Sequence, residues 1–83
     1  MSSRNSNERK YKQWSETENN GWLYQRKVIG QHGWYAIYFK EVNWQEEIVG
    51  FWQEIYDEFG TLVEIHHKYP EDLGHQKIIS NDK

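Results

Sequence analysis

The chain has 83 residues, no cysteine, 14 aromatic side chains and a net charge of −3. That length allows one domain at most, the lack of cysteine excludes disulfide or thiolate-zinc stapling, and the aromatic content excludes global disorder. The charge is uneven: residues 1–30 hold six Lys/Arg and three Asp/Glu, giving +3, whereas residues 41–72 hold nine Asp/Glu and one Lys, giving −8.

Residues 1–20 are rich in Ser, Asn, Glu, Arg and Lys and read as a flexible polar arm. Tyr11 and Trp14 are its large aromatic groups, and their spacing of three suits a short helical turn packed on a downstream sheet. Residues 21–80 read as a single small β domain. It holds four aromatic-rich runs, at 22–29, 34–42, 47–56 and 61–69, separated by Gly30-Gln31-His32-Gly33, Asn43-Trp44-Gln45-Glu46 and Asp57-Glu58-Phe59-Gly60. That rhythm predicts a mainly β fold, an antiparallel meander of about four strands. Pro70 ends the fourth run, and Ile78 and Ile79 suit a short fifth strand or a docked tail. No apolar leader opens the sequence and no run approaches ~20 apolar residues, so the expectation is a soluble, cytoplasmic protein.

The third run has an alternative reading. Trp44, Ile48, Phe51, Trp52, Ile55 and Phe59 share one stripe at helical spacing, Asn43 with Glu46 resembles a capping box, and Gly60 would come just after the last turn. A helix over 44–59 would give an α+β chain of order ββαβ. Gly50 in mid-run and the β-formers Ile48, Val49, Phe51, Trp52, Ile55 and Tyr56 favour a strand.

Four-residue hairpin loops would set Ile29 opposite Trp34, Val42 opposite Glu47 and Tyr56 opposite Thr61. One face then collects Trp22, Tyr24, Val28, Tyr35, Ile37, Phe39, Ile48, Trp52, Tyr56, Val63, Ile65 and Tyr69. So large an apolar surface needs cover, and two short tails offer little of it, so homodimerisation or a constitutive protein partner is expected. The other face is amphipathic. It carries Trp34, Tyr38 and Phe51 beside charges such as Glu64, the anatomy of a partner-binding patch.

Candidate chemistry concentrates in residues 64–75, which hold three of the four histidines. His67, Asp72 and His75, or His66 with Glu64 and a loop residue, could offer imidazole and carboxylate to a metal. No zinc signature is matched, adjacent strand histidines point to opposite faces, and no cofactor motif is present. The glycines around Gln31-His32 match no phosphate-binding loop and read as a turn.

The role these features predict is non-catalytic: a protein-interaction module, specifically a small acidic regulator or inhibitor of a basic partner. The alternative is a single-stranded nucleic-acid-binding accessory protein using Trp22, Tyr24 and Arg26 with Arg4, Arg9, Lys10 and Lys12, which the acidic block opposes. A metal-dependent enzyme ranks third.

Overall fold

The computed structural model describes residues 4–72 and 74–78, so Ile79 lies outside the described residues. A short helix α1 (Arg4–Lys10) precedes β1 (Gln13–Glu16), β2 (Trp22–Ile29), β3 (Tyr35–Val42), β4 (Ile48–Tyr56), β5 (Leu62–Tyr69) and β6 (Gly74–Lys77). All six strands form one antiparallel sheet in simple chain order. The fold is the expected meander with six strands in place of four. The two additions, β1 and β6, are four-residue polar edge strands. Among the described residues no helix is long and apolar enough to cross a membrane.

The cues that suited a helix over 44–59 serve hairpins instead. Asn43 Oδ1 accepts from the backbone N–H groups of Gln45 and Glu47, both at 2.9 Å. The Glu46 N–H reaches the Asn43 carbonyl, the Asn43 N–H reaches the Glu47 carbonyl, and Glu46 has φ 63°. That is a three-residue hairpin loop: a type I turn closed by a left-handed residue. The loop from Asp57 to Thr61 is its twin. Asp57 Oδ1 accepts from Phe59 and Thr61, and Gly60 holds φ 80°. The loop from Thr17 to Gly21 repeats the backbone pattern, with Asn20 at φ 61° and Thr17 Oγ1 accepting from Gly21. Short side-chain acceptors at these positions compete with helical bonding and favour turns. Trp44 and Phe59, the ends of the supposed helical stripe, are 70% and 83% exposed.

The first predicted loop is one residue too short. Gly30 donates to the Trp34 carbonyl and Trp34 to that of Gln31, across positive φ at His32 and Gly33. Positive φ at both central residues marks a type I′ turn, with Gly30 and Gln31 together opposite Trp34. Ile29 therefore faces Tyr35, not Trp34, and β2 is turned over relative to the expected faces. Trp22, Tyr24 and Val28 lie on the side of Tyr38 and Phe51, while Leu23, Lys27 and Ile29 join Tyr35, Ile37 and Phe39. The other two expected pairings shift as well, with Val42 opposite Ile48 and Tyr56 opposite Leu62 in place of Glu47 and Thr61. The central pairs of β3, β4 and β5 keep their expected sides, but the bulges carry Ile48 to the face of Val42 and Tyr69 to that of Phe51, away from the apolar face expected for them.

The core sits at one end of one face. Tyr11, Tyr24 and Val42 are buried, with Trp22, Tyr38 and Ile48 packed around them. Tyr11, just past α1, meets Tyr24 at 5.9 Å between ring centroids, and the Arg4 guanidinium lies 3.5 Å from the Trp22 ring. Residues 4–16, expected as an arm, thus supply both a cover for the sheet and an edge strand.

Candidate functional site

Register assigns each side chain to a face. The face covered at one end by α1, here the helix face, carries the rows Trp14, Tyr24, Lys40, Phe51 and Arg26, Tyr38, Gln53, His66, His75. The reverse, open face carries Gln25, Phe39, Trp52, His67 and Lys27, Ile37, Glu54, Ile65, with Tyr35 and Tyr56 beyond them.

Aromatic pairs order the open face. Phe39 stacks on Trp52 at 5.1 Å with an interplanar angle of 11°, and Tyr35 stacks on Tyr56 at 5.1 Å and 13°. Direct cross-strand pairing sets both contacts, because paired residues stand side by side on one face. Lys27 Nζ lies 4.3 Å from the Tyr35 ring centroid. Glu54 sits between the stacks and accepts from Trp52 Nε1 at 3.2 Å and from the Tyr56 hydroxyl at 2.5 Å. That bond to Glu54, with burial, pushes the Tyr56 phenol up to about 12. The one carboxylate at the centre of the ladder is therefore consumed within it, and an apolar strip remains.

On the helix face, Asn7 ties α1 to the sheet: Lys40 Nζ donates to Asn7 Oδ1 at 2.8 Å, and Asn7 Nδ2 donates to Glu46 Oε1 at 3.2 Å. Glu46 also receives the Tyr24 hydroxyl, at 3.2 Å from Oε1. Burial, then the Glu46 charge, pushes Tyr24 up to about 12, while burial, then repulsion from Lys10, lowers Lys40.

Of the residues marked by sequence as partner-binding, Tyr38, Phe51 and Glu64 share the helix face. Trp34 stands apart in the β2–β3 loop, 39% exposed, where Nε1 donates to Glu58 Oε1 at 2.9 Å and ties that loop to the β4–β5 loop. His67, Asp72 and His75 are not brought together as a set. His67 pairs with Trp52 on the open face, and His66 takes its place. A chain of contacts results: Glu64 Oε1 to His75 Nδ1 at 2.7 Å, His75 Nε2 to His66 Nδ1 at 3.1 Å, and His66 Nε2 to Asp72 Oδ1 at 2.8 Å. A backbone bond from Gly74, then the bond to His66, lowers Asp72 below the usual carboxylate range. Every ring nitrogen is engaged within the chain, and among the described residues no three His, Asp or Glu side chains are arranged to hold a metal.

Sequence reading missed the stacked pairs because setting Val42 opposite Glu47 put β3 and β4 two residues out of the register that brings Phe39 to Trp52 and Tyr35 to Tyr56. It also missed Glu46 as the residue that joins Tyr24 to Asn7. No protein-family model matches the chain, and neither does any curated protein or solved structure.

Proposed function

We propose that this protein is a non-catalytic interaction module whose open sheet face docks against protein, with a second copy of the chain as the occupant. One observation carries this reading: the sheet is a single layer, and Phe39, Trp52, Tyr35, Tyr56, Ile37 and Ile65 stand on its open side with no described element of the chain over them. Contiguous aromatic surface of this kind is a recognition patch, and stacked rings are rigid anchors that lose little side-chain entropy on binding. Charge supports self-pairing. Lys27 and Glu41 lie toward opposite ends of the same face, so a two-fold axis across the strands brings each toward its complement in the other copy. The nucleic-acid alternative has less behind it, since Tyr24 is fully buried and Trp22 is capped by Arg4, leaving neither free to stack on a base. A regulatory role toward a basic partner rests on the acidic block alone and ranks below self-association.

Sedimentation equilibrium at about 10–100 μM tests it, the range in which a micromolar association is populated. A dimer is expected for the native chain, and a monomer for both Phe39→Glu and Ile65→Lys with the sheet spectrum retained. A native monomer throughout that range overturns the reading.

A further inference from the structure

Beyond Tyr11, where α1 stops covering the helix face, a groove of about 290 Å³ opens, lined by Lys10, Tyr11, Arg26, Val28, Tyr38 and Phe51. We infer that this groove binds a small anionic ligand built on one flat aromatic ring system carrying a phosphate or carboxylate. The site lies on the opposite side of the sheet from the proposed docking face and does not depend on it.

The charges are the first argument. Both charged side chains lining the groove, Lys10 and Arg26, are cations. Two more stand at its border: Lys40, which feels Lys10 directly, and Lys68, whose Nζ lies 5.3 Å from the Tyr38 ring centroid and 5.4 Å from that of Phe51. The ion pairs among the described residues join Arg4 to Glu8, His66 to Asp72 and His75 to Glu64, and none includes these four cations. Lys40 donates to Asn7 Oδ1 at 2.8 Å, and the carboxylates shown acting on Lys40 and Lys68 are already occupied. Glu46 receives Asn7 and Tyr24, and Asp72 receives His66 and the Gly74 N–H. Four cations gathered on one face of a chain whose net charge is −3 form a local field that favours an anion.

The walls are the second argument. Tyr38 and Phe51 come from neighbouring strands, are half-buried and line the same groove, with the Lys68 ammonium over both rings. The Tyr38 hydroxyl accepts from Gln53 Nε2 at 3.1 Å, so its own proton is free to donate. Aromatic walls with a few convergent polar groups are the make-up of a ligand site, and this volume, at the small end of the usual ~300–1,000 Å³, suits one ring system with its anion.

Amide and Arg Nε–H chemical shifts, followed during titration with 1-naphthyl phosphate, 1-naphthol or inorganic phosphate at low salt, test the site. Saturable shifts centred on Arg26, Tyr38 and Phe51 are expected with naphthyl phosphate, and binding at least about tenfold weaker with either half alone. Arg26→Gln and Lys10→Gln should each weaken naphthyl phosphate by about fivefold or more, with unchanged spectra elsewhere, while Lys27→Gln on the open face leaves binding intact. No saturable shift at about 5 mM, or equal binding by Arg26→Gln and the native chain, overturns the proposal. Tighter binding of oligo-dT than of naphthyl phosphate at the same residues overturns it too, by naming an extended strand as the occupant.

Discussion

Tyr24 is the side chain on which the packed end of the molecule turns. It has no exposed surface, it meets Tyr11 and Trp14 through its ring, and its hydroxyl ends on Glu46. Removing that hydroxyl in Tyr24→Phe is expected to cost about 1.5–3 kcal/mol in urea unfolding, the value of a hydrogen bond to a charged acceptor. The pH dependence has a definite sign. Tyr24 and Tyr56 both titrate at about 12 when folded, against an ordinary value of 10.0. Their contribution is therefore complete below pH 10 and is lost as pH rises toward 12, because the unfolded chain releases its protons first. A spectrophotometric tyrosine titration should show Tyr24 and Tyr56 releasing late, with Tyr11 also raised by burial, and one late group fewer in Tyr24→Phe. Gly21 is constrained by space: a Cβ there would overlap the Val42 carbonyl oxygen and lie 3.0 Å from Asn43 Cα. Gly21→Ala should cost about 1–3 kcal/mol, since the obstacle is backbone that cannot step aside.

At the level of elements, the turns decide what the strands display. His32-Gly33 occupies the two positive-φ positions of the first hairpin, where Asn-Gly is preferred. His32→Asn is expected to raise stability by about 0.5–1 kcal/mol in the same unfolding assay. The last strand is held differently. Asp72 binds the Gly74 N–H and His66, and its carboxyl lies below its ordinary 3.8. Its contribution is present above that value and lost as pH falls through the folded one. Protection factors for hydrogen exchange at residues 75–77, taken against the intrinsic rate at each pH, should fall on acidification below about pH 4, and already at neutral pH in Asp72→Asn, with β2–β4 unaffected. The same contrast explains what could be read from sequence. The four long strands announce themselves by aromatic and β-branched runs between turn residues, whereas Gln13–Glu16 and Gly74–Lys77 are too short and polar to alternate visibly. The placement of Tyr38, Phe51 and Glu64 on one face came from alternation within and across β3–β5. Sequence grouped His66 with Glu64 and an unnamed loop residue; that Asp72 is that residue and that His75 stands between His66 and Glu64 was not legible, because both depend on a loop whose path no periodicity encodes.

As a whole, the molecule is a slab of 45 × 23 × 21 Å whose buried apolar core, among the described residues, is Tyr11, Tyr24 and Val42. A single layer gains little from burial, and small domains are marginal even with two layers. Association would supply the missing cover. The thermal midpoint of the native chain should then rise by about 5 °C for each tenfold increase in concentration, by mass action, and stay flat in Phe39→Glu. A concentration-independent midpoint in the native protein would contradict the dimer.

One residue in the Gly30–Trp34 connection has a wide reach. Deleting Gln31 and re-forming the hairpin in the next available pairing would rotate β2 by half a turn, burying Leu23 or Gln25 where Tyr24 now stands and pointing Arg26 away from the groove. The genetic consequence is arithmetic: this connection can change length by two with its strands intact, while a change of one rewrites both surfaces of the protein at once.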